Sequence, residues 1–236
     1  MTKHTAHSNQ AGFTIIELLI ATLVFAVVLI IITSGIIQFS KQYYKGVIST
    51  NTQVAARSLI EDISRSIQYN GGYNQLPSNP PNTSKGYCVG SDRRYSYLLN
   101  QQITNTSPLG ANQSNHALIS DTIATPCSTS VTPVNVATIP VTFTTLTTPR
   151  ELIPPHTRLS KFSITQDLKG NLYAITVKLI YGDNDLLCSP AAGDCNAPGT
   201  SSSVFSNPAD LSCKASAGSQ FCAVSELSTT INQRVN

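Results

Sequence analysis

Charge is scarce in this chain: Asp, Glu, Lys and Arg make up 11% of its 236 residues, so its polar surface must come from Ser, Thr, Asn and Gln. No basic run exceeds Arg93-Arg94, which argues against a stripe built to track a nucleic-acid backbone, and direct nucleic-acid binding is not expected. There is no Cys-x-x-Cys, and past the first dozen residues the only histidines are His116 and His156, so zinc ligation by the cysteines is disfavoured. Gly-x-Ser-x-Gly, a phosphate-cradling glycine loop and paired-carboxylate spacing are all missing, and neither an enzyme nor a cofactor is expected. Proline is absent before Pro77 and cysteine before Cys88, so residues 1–76 hold neither a proline nor a cross-link. The formal net charge is +3, and removing a leader that contains Lys3 would leave +2.

What the first third does hold is an apolar run. From Leu18 to Ser40 there is no charged side chain. At ~1.5 Å of helical rise per residue, such a segment crosses the ~30 Å hydrocarbon layer of a bilayer. One acid, Glu17, stands at its start, and a carboxylate there costs roughly 2.5–3.5 kcal/mol on insertion scales. Glu17 therefore calls for a cationic partner. Cleavage after Gly12 would supply one, because it frees an α-amine on Phe13, four residues from the acid. A secretory signal peptide fits poorly, since the run is too long, carries the acid and lacks an Ala-x-Ala-like exit. An ordinary signal anchor explains the length but neither Gly12 nor Glu17. Lys3 and the start amine balance Lys41 and Lys45 across the segment, so the positive-inside rule leaves orientation open.

Gly12-Phe13-Thr14-Ile15-Ile16-Glu17-Leu18-Leu19-Ile20-Ala21-Thr22-Leu23 resembles the class III signal of type IV pilins and pseudopilins. The resemblance implies a leader, residues 1–12, removed by a prepilin peptidase between Gly12 and Phe13, and N-methylation of Phe13 by the same system. It also implies that Glu17 neutralises the amine of a neighbouring subunit as a filament grows. Single-pass insertion in the cytoplasmic membrane follows, with an extracytoplasmic head, contacts to an inner-membrane assembly platform and membrane lipid, and later residence in a pilus or pseudopilus. Major pilins commonly carry a proline in this helix, and this chain does not. Ser34-Gly35 is instead its weak point, since glycine costs up to ~1 kcal/mol against alanine.

The organisation expected is α+β and type IV pilin-like: a long N-terminal helix packed on an antiparallel sheet, with a cysteine-rich loop region. Residues 13–40 form the transmembrane and filament-core half of the helix, 41–70 its amphipathic continuation, and 71–236 a β-rich head of about 165 residues, enough for one modest core. Phe13 to about Tyr69 reads as one helix stopped by Gly71-Gly72. Tyr44, Val47, Ile48, Val54, Ala55, Leu59, Ile63 and Ile67 form its buried stripe, with Lys45, Arg57, Glu61, Asp62 and Arg65 toward water. Residues 73–86 read as an irregular connection. Strand candidates are Tyr95–Leu99, Ala117–Ile123 as an edge, Val136–Phe143, the pair Leu159–Gln166 and Leu172–Tyr181, and a final strand over 221–230.

Cys88, Cys127, Cys188, Cys195, Cys213 and Cys222 all follow the membrane segment, an even count that reads as up to three disulfides in an oxidising compartment. Six cysteines allow 15 connectivities, among which joining near neighbours is preferred. Asp183-Asn184-Asp185 offers oxygen ligands to calcium, but no twelve-residue loop with a distal Glu follows, and a polar turn is the favoured reading. His116 and His156 read as solvated surface residues, and Ser91-Asp92 lacks a nucleophile's context. Tyr87, Tyr95 and Tyr97 fill a core or line a ligand face, with the core favoured. Three functions stay open at this point: a minor pilin, a pseudopilin of a secretion or competence system, and a membrane-anchored extracellular binding module that never polymerises.

Overall fold

The computed structural model describes residues 12–77, 84–103, 116–127, 130–136, 147–167, 172–189, 195, 208–215 and 218–234. Most of the expected leader, the strand expected over Val136–Phe143 beyond its first residue, and the turn between the paired strands lie outside the described residues.

Helix α1 runs Ile15–Asn70 without a break at Ser34-Gly35. Thr14 starts it: its Oγ1 accepts the Glu17 backbone N–H at 3.3 Å, satisfying one of the four donors that a helix start leaves open. Gly71, at φ 85°, ends it in the left-handed conformation that costs glycine nothing. The chain divides between Tyr43 and Tyr44 into two units. In the first, Leu18, Leu19, Ile20, Leu23, Val24 and Ile30 are all exposed. The helix is long and apolar enough there to cross a membrane.

In the second unit α1 buries Thr52, Ala56, Leu59, Ile60, Ile63 and Ile67. This face is rotated from the expected stripe. Tyr44, Val47 and Val54 are exposed, while Thr52, Ala56 and Ile60 take part in the contact. Ala56 is fully buried, and the Thr52 hydroxyl is absorbed by the Ile48 carbonyl at 2.8 Å. Asp62 also departs from expectation, because it points to the sheet rather than to water, as described below.

Among the described residues ten strands follow the helix: β1 Tyr73–Leu76, β2 Lys85–Val89, β3 Arg93–Tyr97, β4 Leu118–Thr122, β5 Thr147–Glu151, β6 Thr157–Gln166, β7 Leu172–Tyr181, β8 Leu187–Cys188, β9 Ser212–Cys213 and β10 Ala223–Asn232. They build a five-stranded antiparallel sheet in the order β1-β2-β3-β4-β5, a three-stranded sheet β10-β7-β6, and the short pair β8-β9. The expected single sheet is therefore divided. Residues 73–76, expected to be irregular, pair with β2, and β4 is an interior strand rather than an edge. The β7–β10 ladder pairs ten residues in unbroken register from Ala223–Tyr181 to Asn232–Leu172.

One core serves both larger sheets. Ala56, Leu59, Ile63 and Ile67 of α1 meet Tyr87, Tyr95, Tyr97 and Leu118 of the first and Phe162, Tyr173, Ile175 and Val177 of the second. The segment after β3 links the sheets, with Asn100 N–H donating to the Leu159 carbonyl and His156 N–H to the Ile103 carbonyl, both at 2.8 Å. Gly90, at φ 66°, lets the β2–β3 turn close on the end of α1: a Cβ there would fall 2.2 Å from Cβ of Asn70. All six cysteines are bridged, Cys88–Cys127, Cys188–Cys195 and Cys213–Cys222, each to a near neighbour. The result is a pilin-like α+β fold, a long helix on antiparallel sheets with disulfide-bonded loops.

Candidate functional site

Two regions concentrate unusual chemistry: the start of α1, and the polar groups enclosed by the head.

At the start of α1, Phe13 is 83% exposed and Glu17 is exposed in the first helical turn. A carboxylate there is favoured by the N–H groups and the positive end of the helix dipole. Thr14-Ile15-Ile16-Glu17 has the Thr-x-x-Glu spacing of a capping box, and the Thr14 bond to the Glu17 N–H is one half of it. This capping role of Thr14 was not foreseen, although the spacing alone signals it. Farther along, each hydroxyl between Leu18 and Ile37 is satisfied by the helix itself. Thr22 donates to the Leu19 carbonyl at 3.0 Å, Thr33 to Leu29 at 2.7 Å and Ser34 to Ile31 at 2.8 Å. In hydrocarbon an unmet hydroxyl is costly, and this arrangement leaves none.

In the head, Asp62 is a hub rather than a solvated charge. It accepts a bond from the Tyr95 hydroxyl at 3.0 Å and lies 3.6 Å from Arg93 and 4.0 Å from Arg150. Ser66 shares the same hydroxyl at 2.9 Å. Burial pushes the Tyr95 phenol above its ordinary range, only partly opposed by Ser66. Arg94 grips Asp121 in two parallel bonds, Nε to Oδ1 at 3.0 Å and Nη2 to Oδ2 at 2.6 Å.

The Asp183-Asn184-Asp185 stretch forms a 3-10 turn, Asn184–Leu186, and its oxygens face a guanidinium. Arg158, 2% exposed, donates to Oδ1 of Asn184 at 2.7 Å, Oε1 of Gln102 at 3.0 Å, Oδ1 of Asn100 at 3.2 Å and the Gly182 carbonyl at 3.3 Å. Asp183 instead accepts a bond from Gln102 at 2.9 Å. Burial lowers the Arg158 pKa to about 10, partly offset by the Asp183 charge. An internal cation thus stands where the calcium reading would place a bound one. Among the described residues no cluster of three or more His, Cys, Asp or Glu is arranged for a metal.

The two histidines separate. His116, expected at the surface, is fully buried with Nδ1 3.2 Å from Oε2 of Glu151. The same carboxylate accepts the N–H groups of Ala117 and Leu118. Its partner is 35 residues away along the chain, so local sequence held no sign of it. His156 is exposed, near Asp183. Tyr87, Tyr95 and Tyr97 are buried: Tyr87 stacks on Tyr97, and both meet Phe162 edge-on. They belong to the core and form no ligand face.

Residues 7–33 match the family model described as a prokaryotic N-terminal methylation motif. No curated protein and no solved structure matches the chain. The chain thus carries a prepilin-type methylation signal at the head of an apolar helix, a motif that implies processing by prepilin peptidase.

Proposed function

We propose that the protein is a minor pilin, made as a prepilin, held in the cytoplasmic membrane by α1 and assembled through that helix into a type IV pilus. In this reading residues 1–12 are the leader, 13–40 the anchor and later filament core, 41–70 its amphipathic continuation and 71–236 the outward head. The carrying observation is the conjunction at the start of α1: a methylation motif over residues 7–33, an exposed Phe13 and a first-turn acid, followed by a run of exposed apolar side chains.

Cleavage after Gly12 places a new amine on Phe13, and Glu17 neutralises that amine on a neighbouring subunit. Leaving lipid for a helix bundle yields little hydrophobic gain, since lipid tails are as apolar as leucine. Packing of Leu18, Leu19, Ile20, Leu23, Val24, Val27, Val28 and Ile30, together with the acid–amine pair, then sets axial register. The head primes assembly, caps the tip or adheres. The proline-free helix and the size of the head favour a minor component over a major one.

Mass spectrometry of the N-terminal peptide from cells tests the reading, which expects a mature chain beginning at N-methyl-Phe13. Recovery of residues 1–12 on the mature protein overturns it and leaves an anchored binding module. Glu17→Ala is expected to insert normally yet to be depleted from sheared pili, and equal incorporation would refute the pairing. Neighbouring genes for a retraction ATPase rather than a secretion platform separate a pilus from a pseudopilus.

A further inference from the structure

The Arg158 guanidinium sits in a shell of oxygens drawn from separate parts of the head. Three of them converge on one nitrogen, Nη2: Oδ1 of Asn184 at 2.7 Å, Oε1 of Gln102 at 3.0 Å and the Gly182 carbonyl at 3.3 Å. Oδ1 of Asn100 meets Nη1 at 3.2 Å, and the charge that acts on the group is the Asp183 carboxylate. Neutral amide and carbonyl oxygens with one carboxylate, gathered around a single positive centre, are the donor set of a hard divalent cation such as calcium. The shell is also a junction. Asn100 and Gln102 follow β3, and Gln102 is bridged to Arg158 on β6. Gly182 follows β7, and Asn184 opens the 3-10 turn that leads into β8 and the Cys188–Cys195 disulfide. Arg158 is buried, whereas Asp183, Asn184 and Asp185 are exposed, so solvent reaches the shell from that side.

Without the guanidinium these oxygens would face one another with no donor between them, which is costly for acceptors away from water. Calcium holds its oxygens at about 2.3–2.6 Å, so closing the shell on an ion at the Nη2 position needs a contraction of about 0.5 Å. Amide side chains and an exposed turn can supply that movement. We propose that Arg158 is a built-in cation holding a calcium-type oxygen shell, and that removing its side chain opens a calcium site formed by Asn100, Gln102, Gly182, Asp183 and Asn184. The head then keeps its 182–186 turn closed without drawing on calcium, and the turn answers to the ion only when Arg158 is lost. A single carboxylate makes the opened site weak, with a Kd of about 1 mM. Neither the anchor nor filament assembly bears on it.

Thermal unfolding of the full chain in detergent, in EDTA and in calcium chloride, tests this. Wild type is expected to melt alike in both. Arg158→Ala should melt well below wild type in EDTA, and about 10 mM calcium should raise its melting temperature by about 3–5 °C. Asn184→Ala in that background removes an exposed ligand and should abolish the rise. Asp185→Asn takes away a neighbouring charge but none of the shell's oxygens, and should keep it; the reverse pattern overturns the assignment. Wild type that loses stability in EDTA would overturn the built-in cation. Arg158→Ala that ignores calcium, or that gains equally from magnesium at the same concentration, would overturn the site. Should Arg158→Ala not fold in EDTA, refolding on addition of calcium supports the site and failure to refold in calcium rejects it. Arg158→Lys retains a cation at this position and is expected to melt alike with and without calcium, whereas a calcium requirement in that variant would show that positive charge there does not hold the shell.

Discussion

The Tyr95 hydroxyl, shared by Ser66 and Asp62, shows how single groups in the head respond to their surroundings. Burial raises the phenols of Tyr73, Tyr95 and Tyr97 above their ordinary value of 10.0. Above pH 10 the unfolded chain gives up these protons and the folded one keeps them, so stability falls as pH rises. Arg158 runs the other way. In the fold it releases its proton from about pH 10, while in the unfolded chain it holds it to higher pH, so stability from this group rises over that interval. Three tyrosines outweigh one arginine, and the head is expected to unfold cooperatively above pH 10, with the tyrosinate absorbance of these three rising in step and that of exposed tyrosines such as Tyr43 and Tyr69 rising before it. Ionisation of all nine tyrosines near pH 10 with the near-ultraviolet dichroism intact would refute the burial of these rings. Not all residue-scale chemistry was readable beforehand. The Thr14-x-x-Glu17 spacing was on view, whereas the His116–Glu151 pair and the oxygens around Arg158 join positions tens of residues apart, which no local pattern encodes.

Among the elements, α1 makes the sharpest claim, because its buried face differs from the one its apolar spacing indicates. Ile63→Ala should cost about 2–5 kcal/mol as a core truncation. Val54→Ala, on the exposed flank, should stay within about 0.5 kcal/mol. Thermal unfolding of the two variants decides between the faces. The Cys88–Cys127 bridge closes 39 residues and ties β2 to the segment after β4. Replacing both with Ala should lose about 4 kcal/mol in the chain-entropy account, measurable as a lower denaturant midpoint. Elements with strong periodicity were legible. The sequence bounds of β7 are those observed, and β6 and β10 differ only at their ends. β1 and β5 were not. Tyr73–Leu76 is too short to alternate, and Thr147–Glu151 carries Pro149 and two charges, as an edge strand tolerates. β4 read as an edge because its partners on either side, β3 and β5, were not both recognised. The stripe on α1 was misplaced because Thr52 and Ala56, polar or small, carry little hydrophobic signal, yet both are buried.

For the whole molecule, the division at Tyr43/Tyr44 separates where stability is stored from where the apolar anchor lies. Among the described residues the hydrophobic core draws on α1 from Ala55 onward, with both larger sheets. Leu23→Ala should therefore leave the melting temperature of the head unchanged while reducing recovery of the subunit in sheared pili. A lowered melting temperature would show that the anchor supports the head's core. The anchor has a further consequence, drawn from Thr22, Thr33 and Ser34, whose hydroxyls are already spent on carbonyls of their own backbone. Between Leu18 and Ile37 the rod has no side-chain donor left to offer. A neighbour in the same oily surroundings can tell it from any other such rod only by contour, the ridges of Leu, Ile and Phe and the notch at Gly35. Partner choice along this stretch is then a matter of fit, and a single methyl group in the wrong place should matter more there than a change of polarity.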